Sequence, residues 1–385
     1  MTNYLIRNDV WKSVADFRLP ESLGFGLVPA PVMYSATFEN GRWNQGELVP
    51  YGPIEILPGA RALHFAEQAF EGMKAYRVGR SAANLFRAGD NYARFRRSAE
   101  RIAMTAVPEQ LFLEGIDAVV GACTPFVPDR SGQSLYVQPF LFGTEPGYAV
   151  RASSTARFMV IANPSEAYAA GAMKVLIERE QVRAAIGGLG TVKTGANYAA
   201  SLLASTRAVK RGYTVALWLD PMTRQNIEEL SGMNLFAVIG DELHTPILND
   251  SILPGVTRDS LIVLARESGW RITERAMPIG DLLRQLSSGE CSEVFACGTA
   301  AIVCPISVIG DADGREYRPA VVDKEARVLR ERLLAIQERR APDPYGWTRE
   351  VTPLARPDSS RGADPIGQTP AAGLAFSGLT KNIIE

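Results

Sequence analysis

The chain has 385 residues, of which 46% are hydrophobic and 22% are charged, as in an ordinary globular protein with room for two cores. Its formal net charge is −1, without a long run of lysine and arginine, which argues against nucleic acid or an anionic membrane as the main partner. The sequence shows neither a signal-peptide pattern nor an apolar run long enough to cross a membrane, so we expect a cytoplasmic protein.

Cysteine and histidine usage limits the possible chemistry. The four cysteines have no C-x-x-C spacing, and together with the two histidines they match no usual zinc pattern. We therefore predict no metal site and four buried free thiols, namely Cys123, Cys291, Cys297 and Cys304. With so few histidines, chemistry centred on a lysine fits this composition better than a histidine-activated nucleophile.

The first part of the chain mixes strand and helix patterns. The segment DNYARFRRSAERIAM has apolar residues at helical spacing, with Asp90 or Asn91 as the expected N-cap. SLYVQPFLFGTEP predicts a strand and a turn, and RFMVIANP predicts a short strand that ends at Pro164. The small, polar segment SEAYAAGAM follows. We therefore predict a small N-terminal α/β domain over residues 1–165 and an interdomain linker over 166–176.

The second part begins with a strand pattern, KVLIERE, and continues with the strand patterns TVALWLD and NLFAVIG. TGANYAASLLASTRAVKRG predicts a helix that ends at a glycine, with Leu202, Leu203 and Val209 on its buried face. LPGVTRDSLIVLARESG predicts a turn and another amphipathic helix. Because strands and helices do not alternate regularly, the pattern favours an α+β fold over one doubly wound sheet. It predicts a large domain over 177–350 and a Pro/Gly/Ala-rich tail over 351–385.

Lys193 lies in the glycine-rich segment GGLGTVKTGANYAAS. The spacing of Gly187, Lys193 and Thr194 partly matches the P-loop pattern G-x-x-x-x-G-K-[ST]. However, Val192 stands in place of the second glycine, where the backbone would have to turn around a phosphate. A nucleotide-binding protein is therefore a weak alternative, and this lysine needs another chemical role.

Pyridoxal phosphate chemistry would use such a lysine. It needs a lysine amine, an acid for the pyridine nitrogen, a donor for the ring oxygen and a site for the phosphate. Lys193 and Tyr198 could supply the amine and the donor, and Glu228 or Glu229 in NIEELSGMNLF could supply the acid. LPGVTRD places a glycine turn before a helix N-terminus, which favours an anion, and CGTAA adds the hydroxyl of Thr299.

The order and wording of these motifs resemble one enzyme family. The resemblance extends from about Leu23 to about Trp347 and is to the branched-chain amino-acid aminotransferases, which are class IV enzymes of fold type IV. It implies a small N-terminal domain, a larger domain with a β-barrel-like core, and transamination of L-branched-chain or similar hydrophobic amino acids and 2-oxo acids with pyridoxal 5′-phosphate. The segments that carry it are HFAEQAFEGMKAYR, FRAGDNYARFRRSA, LYVQPFLFGTEPGYAV, GGLGTVKTGANYAAS, EELSGMNLF, LPGVTRDSL and EVFACGTAAIVCPI.

For the reacting end of the cofactor, the resemblance implies three residues. Lys193 would be the Schiff-base lysine and would shuttle the proton of the substrate Cα. Glu229, four residues before Met233 in the E-x-x-x-M-N frame, would pair with the pyridine nitrogen. Tyr198 would donate a hydrogen bond to the ring oxygen.

The resemblance also implies a phosphate site. Arg94 would bind the phosphate together with the turn at Val256 and Thr257. Thr299 and Ala300 would supply backbone N–H groups near the phosphate and the substrate carboxylate.

The substrate site is implied in the same way. Tyr136 would also face the substrate carboxylate. Phe65, Phe70 and the stem of Lys74 would line the side-chain pocket. Tyr148 and Val150 would reach into the site of a partner subunit, so the resemblance implies a homodimer.

Two departures from the family pattern bear on the choice of substrate. The family usually has arginine in Y-[VIL]-R-P, where it helps to recognise the side-chain carboxylate of glutamate, but this chain has Gln138. Tyr148 stands where a smaller apolar residue is usual. Both departures predict an altered amino donor or substrate, as in a specialised pathway. Other enzymes of the same fold remain alternatives at this point, namely a D-amino-acid aminotransferase and an aminodeoxychorismate lyase.

Overall fold

The computed structural model describes residues 3–166 and 171–356, and these residues are organised around two ten-stranded sheets. Part of the predicted linker, 167–170, and most of the predicted tail, 357–385, lie outside the described residues. The described residues up to Leu354 form one compact unit. The division of this unit into a small and a large domain remains a prediction.

The elements alternate irregularly along the chain. The strands are β1 (Leu5–Ile6), β2 (Val32–Glu39), β3 (Arg42–Trp43), β4 (Glu47–Pro50), β5 (Gln68–Phe70), β6 (Met73–Val78), β7 (Ala82–Phe86), β8 (Ser134–Gly143), β9 (Ala156–Ser165), β10 (Met173–Ile177), β11 (Val215–Leu219), β12 (Asn226–Leu230), β13 (Asn234–Ile239), β14 (Glu242–Pro246), β15 (Arg271–Arg275), β16 (Met277–Pro278), β17 (Cys291–Gly298), β18 (Ile302–Gly310), β19 (Glu316–Tyr317) and β20 (Thr348–Val351). The helices are α1 (Val10–Asp16), α2 (Arg61–Phe65), α3 (Ala88–Arg101), α4 (Glu109–Cys123), α5 (Gly195–Lys210), α6 (Val256–Glu267), α7 (Ile279–Ser288) and α8 (Glu325–Gln337).

The first sheet has the strand order β1-β4-β2-β9-β8-β6-β7-β20, with β3 paired to β2 and β5 paired to β8. Its longest pairing joins β8 and β9 antiparallel, from Ser134 opposite Ser165 to Gly143 opposite Ala156. Helices α3 and α4 contribute to the core of this sheet. The Phe112 ring packs against the rings of Phe95 and Phe158, at centroid distances of 5.0 and 5.8 Å. This aromatic core fixes α3, which carries Arg94, relative to the sheet.

The second sheet has the order β15-β14-β13-β17-β18-β10-β11-β12-β16, with β19 paired to β18. Parallel and antiparallel pairs both occur: β10 is parallel to β11 and β18, whereas β13 is antiparallel to β14 and β17. The expected α+β class is thus confirmed. The edge strands of this sheet are β15 and β16, and among the described strands no pairing joins them. The strand pairing therefore gives an open sheet in place of the expected barrel-like core.

Two local predictions about the helices are wrong. Helix α3 begins at Ala88, after Arg87 in a left-handed conformation (φ 51°), so the helix starts before Asp90. In α5 the predicted buried face is exposed, since Leu202, Leu203 and Val209 all face solvent. The buried face consists of small and polar residues, namely Asn197, Ser201, Ala204 and Ala208. Ala204 packs with Ala216 and Trp218, because the large indole of β11 leaves room only for a small side chain.

The cysteines and the helices bear on two further expectations. Cys123, Cys291, Cys297 and Cys304 are buried and unpaired, as predicted. Burial raises the pKa of Cys304 to about 11, so its thiol stays protonated at neutral pH. In the described part of the chain, we find no helix with the length and apolar character needed to cross a membrane.

Candidate active site

A cavity of about 470 Å³ lies where the two sheets and helices α3, α5 and α6 meet. It collects residues that are far apart in sequence, and eleven of the predicted site residues line it. They are Phe70, Arg94, Tyr136, Gln138, Lys193, Tyr198, Glu229, Val256, Thr257, Thr299 and Ala300.

Lys193 precedes α5, and its backbone is held on both sides. Its N–H donates to the Ser98 hydroxyl at 3.0 Å, and its carbonyl accepts from the N–H of Phe70 at 3.0 Å. Its ammonium Nζ donates to the Tyr198 hydroxyl at 2.8 Å and lies 4.7 Å from the centroid of the Phe70 ring. The amine is therefore aimed into the cavity from a fixed backbone, beside a phenol.

Glu229 lines the cavity from β12 and is almost completely buried. Its Oε1 lies 2.6 Å from Nη2 of Arg183, and its Oε2 accepts from Asn234 Nδ2 at 3.3 Å and from the N–H of Leu253 at 3.4 Å. Burial raises the pKa of Glu229 to about 7, although Arg183 opposes this shift. Glu228 does not line this cavity, since neighbouring side chains of a strand point to opposite faces.

Arg94 lies on α3 in a buried ion pair that sequence reasoning missed. Its Nε and Nη2 donate to the two carboxylate oxygens of Glu71 at 2.7 and 2.8 Å, and its Nη1 donates to the carbonyl of Pro254 at 3.0 Å. Burial disfavours the Arg94 cation, but Glu71 more than offsets this, so the pKa of Arg94 lies above its usual value. The adjacent Gly72 is required by packing, since a Cβ there would come within 2.0 Å of the Tyr136 hydroxyl.

The opposite wall of the cavity offers backbone N–H groups. Helix α6 begins at Val256, after Gly255, which has no side chain to cap the first turn. Gly255 is also packed tightly, because a Cβ there would lie 2.1 Å from Oδ1 of Asn234. The N-terminus of a helix attracts anions through its free N–H groups and its dipole. Thr299 and Ala300, in the turn between β17 and β18, line the same cavity.

Four predicted site residues lie outside this cavity. Phe65 is exposed on α2. Lys74 is buried, and its Nζ donates to the carbonyl of Ala300 at 2.8 Å, from behind the turn that lines the cavity. Tyr148 and Val150 are 86% and 90% exposed, and a role for them in a partner's site remains a prediction.

Comparison with known proteins places these features in a family. Residues 68–309 match the family described as amino-transferase class IV. The branched-chain-amino-acid aminotransferase of Mycobacterium tuberculosis (strain CDC 1551 / Oshkosh) is 41% identical over 335 residues, which cover 84% of this chain and 91% of that protein. The chain belongs to the class IV branched-chain aminotransferases. The resemblance seen in the sequence is thus confirmed, and the nucleotide-binding alternative is wrong.

Solved structures of branched-chain aminotransferases share this fold. The T.th. enzyme, complexed with N-(5′-phosphopyridoxyl)-L-glutamate, superimposes with a TM-score of 0.65 at 28% identity, over 82% of this chain and 97% of that one. The enzyme of Thermoproteus uzoniensis, with norvaline, gives a TM-score of 0.70 at 24% identity, over 83% of this chain and 99% of that one. The expected fold type IV is therefore confirmed for this branched-chain aminotransferase.

The side chains of the cavity fit pyridoxal 5′-phosphate. Glu229 is a buried carboxylate whose raised pKa would fall again beside a cationic pyridine nitrogen. Lys193 supplies a primary amine, and Tyr198 supplies a phenol 2.8 Å from it. The uncapped N-terminus of α6, next to Arg94, suits a phosphate. Each functional group of the cofactor thus finds a chemically matched partner in one cavity.

Proposed function

We propose that this protein transfers amino groups between hydrophobic, branched-chain amino acids and 2-oxo acids, with pyridoxal 5′-phosphate as cofactor. The observation that carries the proposal is the convergence of Lys193, Tyr198, Glu229 and Arg94 on one cavity. When bound, the cofactor supplies an aldehyde that condenses with amines and a ring that withdraws electrons from the substrate Cα.

In this proposal, Lys193 is the residue that transfers the proton of the substrate Cα. Its amine has no carboxylate within ion-pair distance among the described residues, and its polar contact is the hydroxyl of Tyr198. With the cofactor bound, the Lys193 amine would be placed to take the proton from the substrate Cα and to give it back later in the reaction. The Phe70 ring beside Nζ helps to exclude water from this transfer.

Glu229 would hold the pyridine nitrogen of the bound cofactor in its protonated form. A buried carboxylate with a pKa of about 7 shares a proton readily with a basic nitrogen at neutral pH. Arg183 and the N–H of Leu253 fix the orientation of its two oxygens. Arg183 therefore acts as a positioning residue, which keeps Glu229 aimed into the cavity.

Phosphate and carboxylate would be held by different groups. Arg94, Val256 and Thr257 would bind the phosphate, with Thr299 between phosphate and substrate. Tyr136 and Ala300 would face the substrate carboxylate. Burial raises the pKa of Tyr136, so its hydroxyl remains a neutral hydrogen-bond donor.

Gln138 supports an altered choice of amino donor. Among the described residues that line the cavity, the cations are Arg94 and Lys193, and both have proposed roles at the cofactor. A second carboxylate, as in glutamate, would therefore meet the neutral amide of Gln138 instead of a charged partner. We expect the enzyme to use glutamate and 2-oxoglutarate poorly compared with hydrophobic substrates.

A homodimer is part of this proposal. Tyr148 and Val150 expose apolar surface on one loop, and Leu202, Leu203 and Val209 expose another patch along α5. Exposed apolar patches of this kind mark surfaces that another chain covers. We also retain a cytoplasmic location as a proposal.

The test is an absorption titration of the purified holoenzyme with single amino acids. L-Leucine, L-isoleucine and L-valine should convert the pyridoxal band to the pyridoxamine band, whereas L-glutamate should convert it slowly. Conversion by D-amino acids instead would indicate a D-amino-acid aminotransferase. If no amino acid converts the band, the proposed function is wrong.

A further inference from the structure

Arg87 lies just before α3, and its side chain reaches across to the first turn of α6. Its Nη1 donates to Oδ2 of Asp259 at 2.6 Å and to the Ser260 hydroxyl at 2.9 Å. Ser260 in turn donates to the carbonyl of Val256 at 2.9 Å, and Val256 lines the active-site cavity. Arg87 does not line this cavity, but it is connected to the helix N-terminus that is proposed to bind the cofactor phosphate.

The guanidinium of Arg87 is fixed from several sides. Its Nε donates to Oδ2 of Asp90 at 2.8 Å, and its Cζ lies over the Trp347 ring, 5.2 Å from the centroid. The side chain is only 10% exposed. Burial disfavours the cation, but the hydrogen bonds to Asp90 and Asp259 more than offset this, so the pKa of Arg87 lies above its usual value. Arg87 is thus a permanent positive charge that is held in one orientation.

The backbone of Arg87 also indicates that its side chain matters. Its φ of 51° lies in the left-handed region, which favours glycine over residues with a side chain. The N–H of Arg87 donates to the carbonyl of Trp347 at 2.6 Å and thereby holds this conformation. A strained backbone persists only where the surrounding contacts enforce it, and here these are the contacts with Trp347 and with α6.

Asp259 is the group that Arg87 neutralises in α6. It lies in the first turn, three residues after Val256, which corresponds to about 4.5 Å along the helix axis. In the described part of the chain, its ion-pair partner is Arg87. The other cation of this turn, Arg258, is paired with Glu274 at 2.8 Å instead. Without Arg87, the Asp259 carboxylate would be unpaired in the same turn whose N–H groups attract anions.

Two arginines therefore act on the N-terminus of α6, in different ways. Arg94 lines the cavity, and its Nη1 donates to the carbonyl of Pro254, just before the helix. Arg87 contacts Asp259 and Ser260, inside the helix. Under the proposed function Arg94 binds the phosphate directly, whereas Arg87 acts on it only through the charge of Asp259.

We infer that Arg87 is a positioning residue for the cofactor phosphate, an inference that rests on the phosphate site of the proposed function. Its cation cancels the charge of Asp259, so the N-terminus of α6 attracts the phosphate instead of being neutralised by a carboxylate of its own first turn. A phosphate monoester carries close to two negative charges at neutral pH, so an unpaired Asp259 would repel it.

The experiment is equilibrium dialysis of the full-length holoenzyme against a series of pyridoxal 5′-phosphate concentrations, with the bound cofactor measured from its absorption band. Arg87→Gln should raise the Kd about fivefold, and Asp259→Asn should lower it about threefold, as expected for one charge near a helix N-terminus. The double variant has the same net charge as the wild type and should recover most of the loss. Arg96→Gln, which removes an exposed arginine of α3, is the matched control and should bind like the wild type.

The same dialysis against pyridoxal, which lacks the phosphate, separates an effect on the phosphate from a general defect of the fold. Arg87→Gln, Asp259→Asn and the double variant should all leave the Kd of pyridoxal unchanged. The loss of pyridoxal 5′-phosphate affinity in Arg87→Gln should also shrink at about 1 M salt, because the repulsion by the exposed Asp259 is then screened.

Three results would overturn the inference. They are equal weakening of pyridoxal 5′-phosphate and pyridoxal in Arg87→Gln, a double variant that binds no better than Arg87→Gln, and an unchanged Kd for pyridoxal 5′-phosphate in Asp259→Asn. Thermal unfolding shows whether each variant is folded, and if Arg87→Gln is not, Asp259→Asn decides the question. The dialysis measures binding and does not depend on turnover. Failure of amino transfer in the absorption titration would therefore refute the proposed function without changing the outcome of this test.

Discussion

Both carboxylate oxygens of Glu71 accept hydrogen bonds from Arg94, at 2.7 and 2.8 Å, and both side chains are removed from water. The two residues come from different elements, since Glu71 lies between β5 and β6 and Arg94 lies on α3. Two of the three guanidinium nitrogens are thus committed to Glu71, and Nη1 bonds the Pro254 carbonyl next to the start of α6. Glu71 therefore fixes the orientation of Arg94 toward the proposed phosphate site.

Glu71→Gln should be strongly destabilising. The substitution leaves the buried Arg94 guanidinium without a compensating charge, and breaking one side of a buried pair costs about 3–5 kcal/mol. Urea unfolding of the apoenzyme measures this loss of unfolding free energy. Glu100→Gln is the matched control, because it breaks an exposed ion pair with Arg96 on the same helix, which is worth about 0–1 kcal/mol. Equal losses in the two variants would contradict the prediction.

Gln138→Arg should improve the use of 2-oxoglutarate. A charged partner for the second carboxylate contributes about 1.5–3 kcal/mol, which is roughly tenfold or more in kcat/KM. Steady-state kinetics with 2-oxoglutarate and with 2-oxoisocaproate measure the effect, and the second substrate should gain nothing because it lacks the extra carboxylate. Gln138→Met, which changes the same side chain without adding a charge, is the control. An unchanged KM for 2-oxoglutarate in Gln138→Arg would show that Gln138 does not determine the donor.

The sequence allowed the central residues of the site to be predicted because each lies in a short motif with local chemical meaning. Lys193 precedes a helix, and Val256 begins one after a glycine turn. The partners of these residues could not be predicted in the same way. Arg183 lies in no recognisable motif, and its contact with Glu229 depends on how the segment before Lys193 folds over β12.

The exposed face of α5 was mispredicted for a related reason. Leucines at helical spacing indicate an apolar face, but periodicity does not say whether the same chain covers it. Here Trp218 occupies the space under the helix, so Ala204 faces inward and Leu202 faces solvent. The residues alone left the choice between Glu228 and Glu229 open, and the family resemblance favoured Glu229. In the structure Glu229 lines the cavity and Glu228 does not, because neighbouring side chains of β12 point to opposite faces.

Tyr198→Phe should slow amino transfer without unfolding the protein. The substitution removes the hydroxyl that lies 2.8 Å from Nζ of Lys193 and that would bond the ring oxygen. Loss of a hydrogen bond to a charged group corresponds to about a tenfold to hundredfold fall in kcat/KM. The absorption maximum of the bound cofactor should shift as well, which a purely structural defect would not produce. Tyr213→Phe, whose hydroxyl bonds Glu316, should leave both readouts unchanged.

Lys74 should make stability depend on pH in a defined direction. Burial, with a smaller contribution from Arg330, lowers the pKa of Lys74 from 10.5 to about 7 in the folded protein. Between pH 7 and pH 10.5 the unfolded chain therefore binds more protons at this site, and the free energy of unfolding rises with pH. Lys74→Met removes this contribution, so the variant should gain most over the wild type below pH 7, and the gain should shrink as the pH approaches 10. Urea unfolding at several pH values, with the exposed Lys174→Met as control, measures the difference between the profiles. If the unfolding free energies of the wild type and Lys74→Met stay parallel across this pH range, the prediction is wrong. Lys74 would then remain charged in the folded protein, with its ammonium bonded to the Ala300 carbonyl.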